Sequence, residues 1–377
     1  MKIIAISGSE IPSIVANSIQ TMKAVHALAL LGHDVTLIVP MGVEQHYQSE
    51  WSELSQLYGL KKEFVIEFLP SASRRLFFFS AIRRAKKLSP DLIYVWPLQS
   101  AVLGLFLNLP VILEMHDLPT GRIGPLWFRY FRDSKGTKRI VSITKALKQS
   151  LVQQYGEQLN DIETVIAPNG VELERFKNLP DKPTARWQAG LPEKKTVICT
   201  GHLYAGRGVD LFIKLAQAFA DKDVQFVWVG GNESEISWWQ KKAESVSNVI
   251  FTGFIPNNDL PLYQAAADIL LMPYEKNIGI SSGKGHSSQV SSPMKMFEYL
   301  ASGRPIISSD FPVFHEVLNS SNAVFCPAEQ FDAWEKAISD LLNDPDRQQK
   351  LSDQALLDAE KYTWTERAKK ILVHFPK

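Results

Sequence analysis

The chain has 377 residues, of which 45% are hydrophobic and 21% charged, and its formal net charge at pH 7 is +1. This length is typical of two or three domains, and the near balance of charge argues against a nucleic-acid-binding protein. The two cysteines favour a reducing compartment over a disulfide-stapled fold. MKIIAISGSE predicts a strand rather than a signal peptide, and no apolar run reaches the roughly 18–20 residues of a spanning helix, so we expect a cytoplasmic protein.

Apolar strands alternate with amphipathic helices through the first half of the chain. The predicted strands are 2–7, 34–39, 92–95, 111–114, 139–143 and 164–166, and the predicted helices are 18–31 and 145–155. Continuous apolar strands between helices are typical of a parallel sheet that is covered on both faces. The first half therefore predicts one doubly wound domain.

The same alternation restarts after a polar, proline-rich stretch at 176–194, which we interpret as a linker. The predicted strands of the second half are 196–200, 225–230, 249–252 and 269–272, and its predicted helices are 209–219, 233–246 and 259–266. The fold class that we expect is α/β, with two doubly wound parallel-sheet (Rossmann-like) domains facing across a cleft.

The most informative stretch is 291–318. It predicts a loop, a helix at 293–302, a glycine stop at Gly303 and a buried strand at 305–308. A glycine- and serine-rich loop at 277–288 precedes it, and we expect a bound ligand to order that loop.

The start of the predicted helix suits an anion, because first-turn N–H groups lack intrahelical partners and the helix dipole is positive there. Lys295 and Glu298 are three residues apart and share one face. The lysine and the amides could hold a diphosphate, and the carboxylate could accept ribose hydroxyls. An ordinary amphipathic helix with a solvated Lys–Glu pair fits the same spacing.

This stretch resembles the donor-site signature of the retaining glycosyltransferases of family 4, which have the GT-B fold. In that family two glutamates eight positions apart flank a glycine-rich loop. Glu298 matches the second glutamate, and FEYLASGRPIISSD follows in register. Val290 stands at the position of the first, which touches the transferred sugar in the family, so the resemblance supports nucleotide binding better than sugar recognition.

The loop glycines of the family are also replaced, by Ser291 and Pro293. Proline has no N–H, so the amides of Ser292, Met294 and Lys295 would have to hold the phosphates. The resulting S-P-x-K-x-x-E-Y pattern is similar to one branch of the family.

Further segments resemble the same family in the family's order, and together they cover nearly the whole chain. They are ILEMHDLP at 112–119, PNGVELERF at 168–176, TGHLYAGRGVD at 200–210, the run at 249–274, and YTWTERAKKIL at 362–372. The last resembles the closing helix that crosses back onto the N-terminal domain. The resemblance implies an acceptor-binding domain at 1–175, a donor-binding domain at 195–358 and a closing helix at 359–377.

The resemblance also implies site residues. Arg207 would bind two phosphate oxygens at once, although a surface arginine is the alternative. His202 would contact a phosphate, and a purely structural role for this histidine is the alternative. His116 follows a predicted strand and would position the sugar, because the donor phosphate itself takes the acceptor proton in such chemistry. Glu114 is expected to be structural.

The N-terminal loop at 8–18 is expected to help admit the acceptor through Ser13, Ala16 and Asn17. The helix that follows would be capped by Asn17 or Ser18.

A segment at 73–88, SRRLFFFSAIRRAKKL, mixes basic and aromatic residues, and 124–132 is similar. Basic amphipathic helices of this kind bind membrane surfaces. The alternative is a sheet-covering helix with its aromatic side chains in the core.

Together these observations predict a retaining, metal-independent glycosyltransferase with no cofactor. Its co-substrate would be a nucleoside diphosphate sugar, and its acceptor a sugar or a lipid-linked sugar. An anionic membrane surface on the cytoplasmic side is a further expected partner. A sugar-nucleotide epimerase and a non-catalytic nucleotide-binding pseudo-glycosyltransferase remain as alternatives.

Overall fold

The computed structural model describes residues 1–41, 50–70, 74–276 and 287–375, without the side chains of 74, 75, 287 and 288. The chain divides into two compact units. Unit 1 consists of Met1–Asn169 and Trp364–Lys377, and unit 2 of Gly170–Thr363. The expected class of two doubly wound parallel-sheet domains is confirmed. The predicted glycine–serine loop lies outside the described residues, apart from its last two positions.

Unit 1 contains a parallel sheet of seven described strands. The strands are β1 (Lys2–Ile6), β2 (Asp34–Pro40), β3 (Val65–Leu69), β4 (Leu92–Val95), β5 (Val111–Met115), β6 (Lys138–Ser142) and β7 (Thr164–Ile166). The helices are α1 (Ala16–Leu30), α2 (Trp51–Tyr58), α3 (Arg74–Lys87), α4 (Leu98–Phe106), α5 (Gly124–Asp133) and α6 (Lys145–Tyr155). The strand order is β3-β2-β1-β4-β5-β6-β7, so the direction of winding reverses between β1 and β4.

Unit 2 contains a parallel sheet of six described strands in the order β10-β9-β8-β11-β12-β13. The strands are β8 (Lys195–Thr200), β9 (Val224–Val229), β10 (Val249–Phe251), β11 (Ile269–Met272), β12 (Ile306–Ser309) and β13 (Val324–Cys326). The helices are α7 (Lys182–Gln188), α8 (Val209–Ala218), α9 (Glu233–Lys242), α10 (Leu260–Ala265), α11 (Ser287–Val290), α12 (Met294–Ser302), α13 (Phe331–Leu342) and α14 (Pro345–Ala359). The last helix, α15 (Trp364–Leu372), returns to unit 1 and packs on α1.

Central strands are buried over most of their length, because helices cover both faces of each sheet. In β4 and β9, for example, every residue is buried. Aromatic side chains fill the core of unit 2, where the ring of Phe212 lies 5.2 Å from that of Trp228 in an edge-on arrangement.

Three local expectations differ from the structure. Helix α1 begins at Ala16 and is preceded by Val15, which makes no side-chain cap, so the predicted cap at Asn17 or Ser18 is wrong. The stretch expected as a linker contains α7, which begins because the Asp181 side chain accepts from the N–H of Thr184. Strand β3 was not predicted, since it lies at the sheet edge and carries no fully buried residue.

A fully buried carboxylate joins four elements of unit 1. Glu114 on β5 accepts hydrogen bonds through Oε1 from Gln20 Nε2 on α1, at 2.6 Å, and through Oε2 from the Tyr94 hydroxyl on β4. Oε1 also lies 2.6 Å from His116 Nε2 and 2.8 Å from Arg367 Nη2 on α15. These contacts connect the centre of the sheet to the first and last helices of the chain.

The charge of this carboxylate is compensated locally. Burial alone raises the pKa of Glu114, but the charge of Arg367, together with the hydrogen bond and charge of His116, outweighs burial and holds the pKa below its ordinary value of 4.5. Arg367 is fixed in turn, because its Nε donates to the carbonyl oxygens of Ala167 and Pro168 at 3.3 and 2.8 Å. Glu114 is therefore ionised in the folded protein.

Replacing Glu114 by Gln should lower the free energy of unfolding at pH 7 by on the order of 3 kcal/mol, because Arg367 stays buried without its counter-charge. The folded pKa lies below the unfolded one, so the contribution of the carboxylate is present above pH 4.5 and is lost as the pH falls through the folded pKa. Urea titrations of both proteins between pH 7 and pH 3 measure the difference. Glu366→Gln, at an exposed pair with Lys369, is the control and should change little. A gap that widens with acid would contradict the assignment.

Gly208 holds the loop after β8 against the end of β11. Its φ is +81°, and a Cβ at this position would lie 1.8 Å from the carbonyl oxygen of Pro273. Only glycine combines this backbone conformation with such a close approach. The loop therefore starts α8 at a fixed distance from the residues that follow β11.

Gly208→Ala should lower the free energy of unfolding by on the order of 3 kcal/mol, since the left-handed backbone and the clash with Pro273 add together. Gly190→Ala is the matched control, because Gly190 also has a positive φ, +69°, but nothing lies within 4 Å of its added Cβ. That variant should cost about 1–2 kcal/mol. Equal losses in the two variants would show that the contact with Pro273 carries no weight.

Candidate functional site

The carboxyl ends of β8 and β11 and the start of α12 bring two cations together in unit 2. Arg207, in the loop after β8, donates from Nη1 to the hydroxyl of Tyr274 at 2.8 Å. Lys295, in the first turn of α12, places Nζ 5.1 Å from the centre of the same aromatic ring. Tyr274 follows β11 and is buried, and its side chain contacts both cations.

Neither cation is neutralised by a carboxylate in the part of the chain that the structure describes. Arg207 Nε is buried and has no hydrogen-bond partner there. Lys295 Nζ lies 3.6 Å from the sulfur of Cys199 and 5.9 Å from the ring centre of Trp228. Two uncompensated positive charges at the carboxyl edge of a parallel sheet are suited to bind an anion.

The thiol of Cys199 does not remove the charge of Lys295. Cys199 is fully buried, and burial raises the pKa of its thiol although the charge of Lys295 opposes this. The thiol is therefore neutral at physiological pH, and a neutral thiol is only a weak acceptor. Lys295 remains available to a stronger acceptor.

Helix α12 adds the N–H groups of its first turn to the two cations. It begins at Met294, and Pro293 before it makes no side-chain cap. Ser292 is buried beside it. The expected amide donors of Ser292, Met294 and Lys295 are thus placed at one helix start, where the helix dipole is positive.

Glu298 lies one turn further along α12 and is buried. Its Oε1 is 3.6 Å from Arg175 Nη1, and its Oε2 accepts from Gln264 Nε2 at 3.5 Å. Lys295 Nζ points instead toward Cys199. The alternative of a solvated Lys–Glu pair is therefore wrong.

Two residues of this site were missed in the sequence. Arg175 lies in the PNGVELERF segment and also contacts Glu172 Oε2 at 3.4 Å and the carbonyl oxygen of Asn257. Tyr274 is the last residue of the segment 249–274. Both segments were singled out in the sequence, but the spacing of their residues does not show that Arg175 contacts Glu298 or that Tyr274 contacts Arg207.

His202 and Arg207 belong to the same loop. The imidazole of His202 stacks on Tyr204, with ring centres 4.8 Å apart and planes within 7°. The backbone N–H of Arg207 donates to the carbonyl of Tyr204 at 3.2 Å. His202 is partly exposed, and its role toward a phosphate stays a prediction.

Val290 ends α11 and is buried. Its side chain brings no polar atom to the position where the family has its first glutamate, so any sugar contact at this position would be apolar.

His116, which is predicted to position the transferred sugar, and the residues predicted on the acceptor side lie in unit 1. His116 follows β5 and is one-third exposed, with Nε2 2.6 Å from Glu114 Oε1. Ser13 lies in the loop before α1, where its N–H donates to the Tyr58 hydroxyl at 2.7 Å. Ala16 and Asn17 lie in the first turn of α1 rather than in the loop. Their role toward an acceptor stays a prediction.

Comparisons with known proteins cover both units. Residues 19–175 match the family model described as Glycosyltransferase Family 4, and residues 194–344 match the model described as Glycosyl transferases group 1. An uncharacterized glycosyltransferase of Haemophilus influenzae is 24% identical over 360 residues, which is 91% of each chain. A GDP-mannose-dependent phosphatidylinositol monomannoside mannosyltransferase of Mycolicibacterium smegmatis is 28% identical over 189 residues, 48% of this chain and 47% of that protein.

Solved structures share the fold. HepE of Anabaena in complex with UDP aligns with a TM-score of 0.74 at 15% identity and covers 98% of both chains. WaaG, a glycosyltransferase involved in lipopolysaccharide biosynthesis, aligns with a TM-score of 0.68 at 15% identity and covers 98% of this chain and 100% of WaaG. The segments that resemble the family, the two family models and the doubly wound GT-B units agree: the chain belongs to the family 4 glycosyltransferases.

Proposed function

We propose that this glycosyltransferase moves a sugar from a nucleoside diphosphate sugar to an acceptor hydroxyl, with retention of the anomeric configuration and without a metal ion. The observation that supports this most is the convergence of Arg207 and Lys295 on Tyr274, with no carboxylate to neutralise them among the described residues. Relatives named for GDP-mannose and neighbours solved with UDP or UDP-glucose make a uridine or guanosine diphosphate sugar the first donor to test.

The chemistry of the leaving group explains why two cations are needed. When the glycosidic bond to the phosphate breaks, negative charge develops on the departing diphosphate. The guanidinium of Arg207 can bind two phosphate oxygens at once, while the ammonium of Lys295 acts as a point charge. The N–H groups at the start of α12 add partial positive charge. Together they can supply the stabilisation that a divalent cation supplies in metal-dependent transferases.

Glu298 is proposed to accept hydrogen bonds from the ribose. Its carboxylate offers about four lone pairs, and its two contacts, at 3.5 and 3.6 Å, are long. Arg175 compensates the charge of Glu298, so the carboxylate can stay buried and still accept hydrogen bonds from ribose hydroxyls. Lys295 and Glu298 lie on successive turns of α12, and Arg207 meets Lys295 at Tyr274, so the group fits the diphosphate and the ribose of one nucleotide.

The proposal is tested by incubating the purified protein with UDP-glucose, UDP-galactose, UDP-N-acetylglucosamine and GDP-mannose, with and without EDTA. Slow release of the nucleoside diphosphate from one donor, unchanged by EDTA, is expected, with ¹H NMR showing the α-anomer at the moment of release. Activity lost to EDTA and restored by a divalent ion would contradict the metal-free mechanism. Release of an epimerised sugar would favour the epimerase, and binding without turnover of any donor would favour the pseudo-glycosyltransferase.

Arg207→Ala and Lys295→Ala should each weaken binding of UDP or GDP by roughly 1.5–3 kcal/mol, because each removes a charge-assisted contact. Isothermal titration calorimetry measures the affinities. Lys336→Ala is the control, since Lys336 is an exposed cation that pairs with Asp340 on α13, and it should leave affinity unchanged. Wild-type affinity in both site variants would refute the diphosphate assignment.

The acceptor is proposed to lie at an anionic membrane surface, in keeping with the lipid acceptor in the name of the M. smegmatis relative. None of the described helices is both long and apolar enough to cross a bilayer. Phe77 of helix α3 is buried, as expected for a helix that covers the sheet, but Leu76 and Phe79 are exposed. The basic residues of α3 are not all free, because Arg84 pairs with Glu67 at 2.7 and 2.8 Å.

Helix α5 presents the clearer surface. Phe128 and Phe131 face the core, whereas Ile123, Leu126 and Tyr130 are exposed at helical spacing. The exposed cations Arg122 and Arg129 flank this stripe. A stripe of apolar side chains bordered by arginines can enter the headgroup region of a membrane while the charges meet anionic lipids.

The protein should sediment with vesicles that contain phosphatidylglycerol and not with pure phosphatidylcholine vesicles, and binding should weaken with salt, since each basic residue contributes about 1 kcal/mol. Leu126→Asp should reduce binding several-fold. Leu357→Asp, at an exposed leucine on α14 of unit 2, is the matched control and should bind as wild type. Negligible binding to both vesicle types at low salt would leave the core-helix alternative and favour a soluble acceptor.

A further inference from the structure

We infer that Glu114 is a positioning residue that holds His116 in the tautomer with its proton on Nε2, so that Nδ1 is presented as a hydrogen-bond acceptor. Arg367, from the last helix of unit 1, completes this arrangement. The inference deepens the proposed function and rests on it for the substrate, because the hydroxyl that meets Nδ1 would belong to the transferred sugar.

The direction of the hydrogen bond follows from the state of Glu114. Its pKa is held below the ordinary value, and an ionised carboxylate can only accept hydrogen bonds. The contact of 2.6 Å between His116 Nε2 and Glu114 Oε1 therefore requires the proton on Nε2. The imidazole carries this Nε2 proton in both of its charge states, and in the neutral form the lone pair is on Nδ1.

Three further contacts hold the carboxylate in place beside His116. Gln20 and Arg367 approach Oε1 at 2.6 and 2.8 Å, and the Tyr94 hydroxyl donates to Oε2. Gln20 on α1 and Tyr94 on β4 are hydrogen-bond donors, and Arg367 on α15 forms an ion pair, so three elements besides β5 contact the carboxylate. A carboxylate held in this way is known to set the tautomer and ring plane of a functional histidine.

The neighbouring carboxylate of Asp117 has a different role. Its Oδ1 accepts from the N–H of Leu118 at 2.7 Å, which holds the loop after β5. No described contact joins Asp117 to the imidazole of His116. Glu114, two residues earlier on the same side of the strand, is therefore the partner that orients His116.

The side chain of His116 is one-third exposed, and no protein partner of Nδ1 occurs among the described residues. A ring nitrogen that accepts a hydrogen bond favours a nucleotide sugar with a hydroxyl at the matching position. The arrangement thus predicts that this site prefers sugars that keep that hydroxyl over deoxy or fluoro analogues.

The first test reads the tautomer directly, without any substrate. Long-range ¹H–¹⁵N spectra of histidine-labelled wild-type protein, with His116→Gln for assignment, should show a single Nε2-protonated form of His116. The double variant Glu114→Met with Arg367→Met replaces both members of the buried pair by apolar side chains, which is often tolerated. In that variant His116 should show both tautomers. Tyr94→Phe removes the hydroxyl that donates to Oε2 and accepts from Arg367 Nη1 at 3.4 Å, but it leaves the contact between Oε1 and His116 in place, so it should keep the wild-type signature. An Nδ1-protonated wild-type form, or an unchanged double variant, would overturn the inference.

The second test uses whichever donor the wild type hydrolyses. The double variant should lower kcat about tenfold in the wild-type background and scarcely at all in the His116→Ala background, because the effect passes through His116. Equal losses in both backgrounds would show a merely structural role. If no donor is turned over, the proposed function fails while the spectra still decide the tautomer.

Discussion

The parallel direction of the strands is the constraint on which both sites depend. Every strand pair described in the two sheets is parallel, so all their carboxyl ends lie at one edge of each sheet. Loops that are far apart in sequence therefore meet. Arg207 follows β8 and Tyr274 follows β11, and the neighbouring positions of these two strands bring the side chains into contact. His116 follows β5 and therefore lies at the carboxyl edge of the sheet in unit 1.

Glu114 in unit 1 and the pair Arg207 and Lys295 in unit 2 differ in how their charges are balanced. In unit 1 the carboxylate of Glu114 is surrounded by donors and a cation, so its charge is compensated within the protein. In unit 2 the described surroundings of Arg207 and Lys295 supply an aromatic ring and a neutral thiol but no carboxylate. A compensated charge orients its neighbours, whereas an uncompensated charge is available to an anionic ligand. The difference separates a charge that side chains of unit 1 balance from two charges of unit 2 that no described carboxylate balances.

The sequence predicted the elements better than the contacts between them. Strands such as β4 and β11 were predicted with their bounds, because continuous apolar runs report burial directly. Edge strand β3 was missed since it buries little. Lys295 and Glu298 were found from a helix start and a resemblance. Arg175 was not predicted, because its ion pair with Glu298 is a tertiary contact that leaves no periodic pattern in the sequence.

Unit 1 is discontinuous in the chain, because α15 joins it only after the whole of unit 2 has been traversed. On the ribosome, β5 is synthesised long before Arg367, so the nascent unit 1 has no partner from α15 for the buried carboxylate of Glu114. Its sheet can form early, but the charge at its centre is balanced only when the last helix has emerged. The histidine beside that carboxylate is therefore set in place late, only after α15 has been synthesised.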